Sequence, residues 1–474
     1  MPSSNWQRSV KSREAWEQAA LRLQAGELAL LGLWGEPGYA HMALMEQVTN
    51  ASVVLSVECA GNRYPSVGRV HAPAIRPERA LRDLVGLEPE GLPDPRPWLR
   101  HDGGYRFLPA EGESLHQIPV GPVHAGIIEP GHFRFTANGE TVVRLEQRLG
   151  YTHKGIDALI AGAPVARAAV LAGRVSGDST VAFGLAFARA VEAALGIEVP
   201  PRAAWLRALL AELERLANHL GDIGAICNDA AFAIMHAQFA LLRERVLRAS
   251  DACFGHRLLM DRAVPGGLSR DLAPDGGRLL RGLLALIRRE LPDLVEVYEN
   301  TASLKDRTVG TGILAPALAR RFAAGGFVGR ASGRDFDARR TPGYPPYDTL
   351  QFEVPVVHAG DVNARVWVRI REVEQSLALI EQILAGLPSG SCGGPIDAPP
   401  AAGPREGAAL VEGFRGDVFA WVRIAPDGRI ERCHLRDPSW FQWPLLEAAI
   451  EGNIVADFPL CNKSFNCSYS GHDL

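Results

Sequence analysis

The chain has 474 residues, enough for two or three domains, and its 47% hydrophobic and 22% charged residues are typical of a globular protein. The formal net charge of −4 argues against a basic nucleic-acid-binding protein. No apolar run reaches the ~20 residues that span a bilayer, since the best candidate, Gly224 to Leu242, contains Asp229 and His236.

Residues 1–115 are rich in proline and glycine and contain short strand-like runs. Ala51 to Val57 predicts a buried strand. Pro77 to Leu87 predicts a short helix that proline opens and Gly86 ends, and Gly91 to Arg100 is expected to be loop. The first residues lack the apolar stretch of a signal peptide. Residues 1–115 are therefore predicted to form a small α+β module.

Residues 116–474 are dominated by helical periodicity. Pro200-Pro201 predicts a helix start, followed by an amphipathic stripe of leucines from Leu206 to Leu220. Pro292 predicts the end of the helix that begins at Arg278. The remaining expectations are a helix over 228–248, a break at 266–267, a long functional loop over 308–350, a helix over 366–387, a connector over 395–404 and a hairpin over 414–432 that turns at 426–428.

Three stretches carry a family resemblance. They are GPVHAGIIEPGHFRF at 121–135 with GYTHKG at 150–155, GIEVPP at 196–201 with ERLANHL at 214–220, and GRASGRDFDARRTPGYPPY at 329–347 with EVEQSL at 372–377. These stretches resemble the large subunit of group 4, formate-hydrogenlyase-type [NiFe] hydrogenases and the D subunit of complex I (NADH-quinone oxidoreductase). Residues 1–115 resemble the complex I C subunit. The resemblance implies an α+β fold with a mainly helical large-subunit body at 116–474.

Large subunits of this family hold nickel with two CxxC pairs, because thiolates bind nickel tightly and bridge it to iron. Here the matching stretches are RVSGDS at 174–179 and NCSYSG at 466–471. The four ligand positions are Ser176, Ser179, Ser468 and Gly471. Hydroxyl groups are poor substitutes for thiolates, and Cys467 alone cannot replace four. We therefore expect no metal to be bound by this chain.

Two carboxylates are predicted to be catalytic in the cavity that the metal would occupy. Glu129 matches the family residue that relays protons, although a surface position is the alternative. Asp178 lies between the two serines, and a helix-capping role is its alternative. A buried carboxyl of this kind can transfer protons.

The resemblance to the complex I D subunit also allows its quinone-binding residues to be compared with the residues of this chain. The positions that match its quinone-binding histidine and tyrosine are Ile128 and Gly177, so both polar contacts are lost. Asp229, which matches the partner of that histidine, remains. Its alternative role is a buried structural ion pair with an arginine such as Arg243.

Several further residues match family motifs. His124 is a candidate for cavity or acceptor binding, but it, His153 and His219 show no ligand spacing and are also expected to serve packing or hydrogen bonding. Arg330 and Asp335 belong to a dense charged loop that lies near the cavity in the family. Such loops are otherwise solvated, and the other members of this one are Arg334, Arg339 and Arg340.

The family works as a heteromer, so the resemblance implies partners. These are an iron–sulfur small subunit and integral membrane subunits of an ion-translocating arm. Their presence would place the chain in the cytoplasm, peripheral on the inner face of the plasma membrane. No nucleotide motif is present, so any NAD chemistry would belong to partners, while a quinone is a possible acceptor. The function expected is electron and proton transfer without nickel. The alternatives are a non-catalytic scaffold or a hydrogenase with unusual ligands.

Overall fold

The structure is a computed structural model that describes residue 6 and residues 8–101, 104–124 and 128–474. Its N-terminal part is a four-stranded sheet in the order β1-β4-β3-β2, flanked by two helices. The predicted strand at 51–57 and the helix that Gly86 ends are confirmed, and Gly86 adopts a left-handed conformation with φ +76°. The elements are β1 (Arg8–Lys11), α1 (Arg13–Gln24), β2 (Leu28–Glu36), β3 (Tyr39–Glu46), β4 (Ser52–Glu58), β5 (Arg63–Pro65), α2 (Ile75–Val85) and β6 (Glu88–Glu90).

A three-stranded antiparallel sheet follows and leads into the helical body. The leucine stripe from Leu206 to Leu220 is buried, as predicted. The polar residues beside the stripe are buried as well, because Arg207 pairs with Glu192 and others enter ionic clusters. The elements are β7 (Leu115–Val120), β8 (His132–Asn138), β9 (Thr141–Arg148), α3 (Ile156–Ile160), α4 (Val165–Ala172), α5 (Thr180–Leu195), α6 (Pro201–Asp229) and α7 (Ala233–Phe254).

The prediction that a helix ends at Pro292 is wrong. The helix α8 runs through this residue, because its buried stripe continues from Leu291 to Tyr298 while Pro292 itself is exposed. The region 308–350, predicted as loop, contains two short helices and a π-type turn at Arg339–Gly343. The elements are β10 (Ala263–Val264), β11 (Gly267–Leu268), α8 (Gly276–Asn300), α9 (Ala302–Thr308), α10 (Pro316–Arg321), α11 (Gly326–Ala331) and α12 (Val362–Gly386).

The C-terminal part begins with an antiparallel sheet in the order β12-β13-β14. The predicted hairpin turn at 426–428 lies between β13 and β14. Three helices then bring the chain back to the start of α5. The elements are β12 (Arg405–Gly413), β13 (Gly416–Ile424), β14 (Ile430–Arg436), α13 (Ser439–Ile450), α14 (Phe458–Phe465) and α15 (Tyr469–Asp473).

The N-terminal sheet packs against the C-terminal sheet through aromatic rings and one ion pair. The rings of Trp34 and His434 stack with centroids 4.8 Å apart. Arg423 Nη1 donates to Glu36 Oε1 at 2.8 Å. One hydrophobic core also contains residues of both ends of the chain, among them Trp16 and Trp443. The expected α+β architecture, with a small N-terminal sheet module and a mainly helical body, is confirmed. Over the described residues, no helix combines the length and apolarity needed to cross a bilayer.

Candidate functional site: a polar cluster at the former metal position

Two segments separated by nearly the whole helical body meet at the start of α5. Ser176 and Ser179 lie in the tight turn before α5, and Ser468 begins α15. The hydroxyl oxygens of Ser176 and Ser468 are 3.1 Å apart. All three serines are at most 5% exposed. The structure thus places three of the four expected ligand positions in one buried cluster.

Asp178 and Arg415 form an ion pair within this cluster. Arg415 Nη1 donates to Asp178 Oδ1 at 2.7 Å, and Nη2 donates to Oδ2 at 2.5 Å. Ser176 Oγ donates to the same carboxylate at 2.7 Å. Burial opposes ionisation of Asp178, but the Arg415 charge and these hydrogen bonds outweigh it and lower its pKa to about 2. A lowered pKa favours the carboxylate form of Asp178, so the proton transfer that the sequence analysis expects of this residue stays a prediction.

The fourth position, Gly471, faces another carboxylate. A Cβ atom built on Gly471 would lie 2.5 Å from Asp437 Oδ2 and 2.8 Å from Ser468 Oγ, far inside van der Waals contact. Asp437 is fully buried, and its Oδ1 accepts from Ser439 N at 2.8 Å. Its Oδ2 has no hydrogen-bond partner among the described residues. Burial raises the pKa of Asp437 above its ordinary value, against the opposing effects of the Arg415 charge and the hydrogen bonds from Ser439.

The donor set of this cluster does not fit nickel. The hydroxyls of Ser176 and Ser468 already bond to each other and to Asp178 or the backbone, and Asp437 occupies the space of the missing fourth side chain. The neighbouring Cys467 is buried, and burial raises the pKa of its thiol, which disfavours the thiolate that binds metals. Within the described ranges, no three His, Cys, Asp or Glu side chains are grouped to hold a metal ion.

Glu129 lies at the surface of this chain and not among the buried serines, which is the alternative position that the sequence analysis gives for it. The residue is exposed in this chain, and its Oε2 accepts a hydrogen bond from Ser470 N at 3.0 Å. It therefore contacts the start of α15 through the backbone N–H of Ser470. Residues 125–127 lie outside the described residues.

Asp335 also lies away from its expected position near the cavity. Its side chain is 61% exposed and pairs with Arg340 at the surface. The buried partner of Arg330 in this loop is Asp337, which is fully buried at 3.5 Å from Arg330 Nη1. Residue 335 faces outward, while residue 334 and residues 336–339 are buried. Arg330 itself is fully buried but bonds to an ionic cluster behind the site rather than to the serines.

The remaining candidates lie outside the serine cluster. His124 Nε2 is 2.7 Å from Gly131 O, so the ring closes the loop between them. Asp229 is half-buried at the end of α6, and burial raises its pKa. Among the ion pairs of the described residues, none joins it to Arg243. His153 Nδ1 is 2.7 Å from Asp473 O and helps to anchor α15.

A small pocket reaches the cluster from the side of α6 and α7. Its volume of about 20 Å³ is room for about one water molecule. Asp178, Glu214, Asn218 and Arg243 line it. Glu214 accepts from Val181 N at 2.7 Å, and burial raises its pKa to about 8. Water can thus approach the polar cluster without a large channel.

The sequence analysis missed Arg415 and Asp437. Arg415 lies in the turn between β12 and β13, and Asp437 follows β14 directly. Both are charged residues that directly follow or lie between strands with mostly buried residues. A charged residue in such a position either faces solvent or pairs with a buried partner, so its position in the sequence marks it as a candidate for a buried ion pair.

Comparisons with known proteins place the chain in a family. Residues 229–402 match the model of the respiratory-chain NADH dehydrogenase 49 Kd subunit, and residues 14–112 match that of the 30 Kd subunit. Formate hydrogenlyase subunit 5 of Escherichia coli is 33% identical over 91% of this chain and 81% of its own length. The D subunit of NADH-quinone oxidoreductase from Dehalococcoides mccartyi is 32% identical over 72% of this chain and 93% of its own.

A solved structure agrees. A chain from the membrane-bound sulfane sulfur reductase, an archaeal respiratory membrane complex, superposes with a TM-score of 0.71 at 28% identity, covering 76% of this chain and 99% of that one. The two family models, the identity to the formate hydrogenlyase protein and this superposition agree with one another. The chain belongs to the family of large subunits shared by group 4 membrane-bound hydrogenases and complex I, with the 30 Kd and 49 Kd regions fused in one polypeptide.

Proposed function

We propose that this chain is the nickel-free large subunit of a membrane-associated oxidoreductase complex, and that its former metal position handles protons. The observation that carries the proposal is the pairing of two unlike carboxyls. Asp178 is held as an anion by Arg415, while Asp437 is buried without a charged donor bonded to it. Neighbouring carboxyls with opposed pKa shifts are a recurrent arrangement for acid–base work.

In this proposal Asp437 holds the proton and Asp178 keeps its charge throughout. The bidentate contact fixes Arg415 at 2.7 and 2.5 Å from Asp178, so this guanidinium acts on Asp437 through its charge and not through a hydrogen bond. Water can reach the cluster through the pocket beside Asp178. A proton leaving Asp437 would be replaced from that side.

Electrons would come from an iron–sulfur cluster in a partner small subunit, and membrane subunits would complete the assembly on the cytoplasmic face. The names of the relatives support a membrane complex but differ in chemistry: hydrogenase, quinone reductase and sulfane sulfur reductase. The acceptor would therefore be a quinone or another two-electron acceptor, and any NAD chemistry would lie in partner subunits. No step of this proposal uses nickel.

A scaffold role is the second candidate, and one observation favours it. The polar groups of the cluster largely satisfy one another, and Arg415 Nε also donates to Asn466 O at 2.5 Å. The cluster thus ties the segment before α15 to the body of the chain. A scaffold of this kind needs the hydrogen bonds of Asp437 but not its proton.

The experiment compares the purified native complex with its Asp437→Asn variant, and Asp335→Asn is the matched surface control. The readouts are nickel per large subunit, hydrogen uptake with a dye, and reduction of a soluble quinone and of polysulfide. We expect no nickel, no hydrogen uptake and at least a roughly tenfold loss of turnover in Asp437→Asn with intact assembly. Stoichiometric nickel with hydrogen uptake would overturn the proposal, and unchanged turnover in Asp437→Asn would favour the scaffold.

A further inference from the structure

A buried ionic cluster lies directly behind the Arg415 turn, between α6, α11, α12 and β12. Its four carboxylates belong to Glu212, Asp337, Glu372 and Glu412. Its three guanidinium groups belong to Arg215, Arg330 and Arg339, and His219 completes it. None of these residues is more than 2% exposed.

Four carboxylates and three guanidinium groups leave this cluster one negative charge in excess. Arg334 is a buried cation just outside the cluster, and among the described residues no carboxylate forms an ion pair with it. An uncompensated charge in a dry interior is strongly unfavourable, and titratable groups there usually change protonation instead. A proton bound by the cluster would be on His219 or on one of the carboxyl groups.

The surroundings of His219 argue against an imidazolium. Its Nε2 lies 2.7 Å from Glu372 Oε2, which suits a neutral ring that donates from this nitrogen. Its Nδ1 is buried and has no hydrogen-bond partner among the described residues, and the rings of Phe327 and Phe414 pack edge-on at 6.0 and 6.1 Å. A second N–H there would be an unpaired buried donor. Burial also lowers the pKa of His219.

Two of the carboxylates receive several strong donors from arginine. Glu372 accepts hydrogen bonds from Arg330 Nε at 2.8 Å and from His219, and it also forms an ion pair with Arg330 Nη2 at 2.7 Å. Asp337 accepts from Arg339 Nε at 3.0 Å and Nη2 at 2.7 Å. Such donors favour the ionised form of a carboxyl.

Glu212 also accepts several hydrogen bonds. It accepts from Arg339 Nη1 at 2.9 Å and from the hydroxyls of Tyr347 and Ser376, each at 2.7 Å. Each of these three carboxylates forms ion pairs with two arginines, whereas the ion pairs of the described residues join Glu412 to Arg330 alone. One charged donor reaches it, Arg330 Nη1 at 2.9 Å, and its other oxygen accepts from the backbone N–H of Ala338 at 2.9 Å.

We propose that Glu412 carries a proton at neutral pH, so that the cluster is an internal binding site for one exchangeable proton. Its release leaves a carboxylate beside Arg330 and delivers the proton to water. Burial, with the Asp337 anion as the next cause, raises the pKa of Glu412 to about 7. The protonation of Glu412 does not depend on the function proposed above, and the two can fail separately.

The charged groups beyond the cluster are mostly paired among themselves. Arg436 donates to Asp417 at 2.5 Å, Arg369 to Asp222 at 3.2 Å, and Arg415 to Asp178. The other titratable or charged neighbours of Glu412 are Tyr344, whose hydroxyl accepts from Glu412 N at 3.2 Å, Arg189 and Arg334.

Arg334 is the neighbour that opposes protonation of Glu412. Its charge favours ionisation of Glu412, although its Nη1 donates to the carbonyl oxygen of Ala324 at 2.9 Å instead of to a carboxylate. A decisive experiment must therefore detect the proton on Glu412 itself.

The position of Glu412 links this proton to the site. Gly413 and Phe414 alone separate it from Arg415. Arg215 donates to the backbone carbonyls of Glu412 at 2.9 Å and Gly413 at 3.1 Å, which holds the turn in place. The backbone of the turn that carries Arg415 is thus bonded to Arg215, a member of the same cluster as Glu412. This link, unlike the protonation, rests on the proposed function.

Infrared difference spectroscopy of the native complex tests the proton directly. The protein carries ¹³C-carboxyl glutamate, which separates glutamate bands from those of Asp437. The variants are Glu412→Gln and, as a control on the same strand, Glu406→Gln. At about pH 6 we expect the carbonyl band of a protonated glutamate that Glu412→Gln loses and Glu406→Gln keeps, and its disappearance by about pH 9.

Two results would overturn the inference. The first is the absence of any carbonyl band specific to Glu412, in particular with an imidazolium signal of His219 in ¹⁵N spectra. The second is a Glu412→Gln variant that fails to fold while Glu406→Gln folds, because glutamine has the shape and charge of a protonated glutamate and should be tolerated.

Discussion

Replacing Arg415 by methionine removes the guanidinium that holds Asp178, and we expect the unfolding free energy to fall by about 2–4 kcal/mol. The variant loses both contacts to Asp178, the bond to Ser179 Oγ at 2.9 Å and the bond to Asn466 O at 2.5 Å. Methionine keeps most of the packing against Phe414, so the loss is mainly electrostatic.

The size of the ion-pair contribution follows from its geometry. The fall of the Asp178 pKa from 3.8 to about 2 corresponds to about 2.4 kcal/mol. The Asp178 side chain is 35% exposed in this chain, so solvent screening reduces this to about 1–2 kcal/mol. Because the folded-state pKa is lowered, this stabilisation is present above pH 3.8 and is lost as the pH falls to about 2.

A double-mutant cycle at neutral pH isolates the pair. Urea unfolding of Arg415→Met, Asp178→Asn and the double variant is followed by tryptophan fluorescence, since the Trp443 indole donates to Ser468 O at 3.1 Å and reports on the cluster. We expect a coupling energy of about 1–2 kcal/mol. Strictly additive effects would refute the reasoning. Arg340→Met, which breaks the exposed pair with Asp335, is the control and should change stability by less than about 0.5 kcal/mol.

Three other perturbations test separate features. Placing cysteine at all four ligand positions should not restore nickel binding, because a Cβ on Gly471 lies 2.5 Å from Asp437 Oδ2. Nickel should bind only when Asp437 is also replaced by alanine. Nickel bound by the four-cysteine variant alone would contradict this. The raised pKa of Glu412 stabilises the fold below pH 4.5, and this is lost as the pH rises to about 7. The unfolding free energy of the wild type should therefore fall by about 3 kcal/mol over that pH window relative to that of Glu412→Gln. If the two proteins show the same dependence of unfolding free energy on pH, the raised pKa of Glu412 is excluded. Gly86→Ala should destabilise the protein by about 1 kcal/mol in thermal unfolding, because residue 86 has a φ of +76°. The added carbon itself would meet no atom within 4 Å. A variant as stable as the wild type would show that the left-handed conformation does not require glycine.

Most of the secondary structure was predictable because proline and glycine restrict the backbone of residues close to them in the sequence. Proline at residue 201 and the left-handed Gly86 act within one turn of the helices that they start and end. Pro292 failed as a stop signal, since its ring faces solvent and the buried stripe of α8 continues past it. Packing energy summed over that stripe exceeds the roughly 3 kcal/mol cost of one proline.

The candidate site was predictable only in part. The positions of Ser176 and Ser468 followed from matching motifs. The partners that complete the cluster depend on contacts between residues far apart in the sequence, such as Asp178 with Arg415. Two aspartates lie in one loop, and the direction of each side chain decides which of them is buried. The sequence alone therefore selected Asp335 where the structure buries Asp337.

The packing of the N-terminal sheet on the C-terminal sheet has a consequence for assembly. The matching family models are named for two distinct subunits, of 30 and 49 Kd, whereas here both regions share one polypeptide. The contacts of Trp34 with His434 and of Arg423 with Glu36 therefore form within a molecule, at an effective concentration of about millimolar. The two regions are always present one to one, and their interface tolerates substitutions that would separate independent chains at the lower concentrations found in a cell.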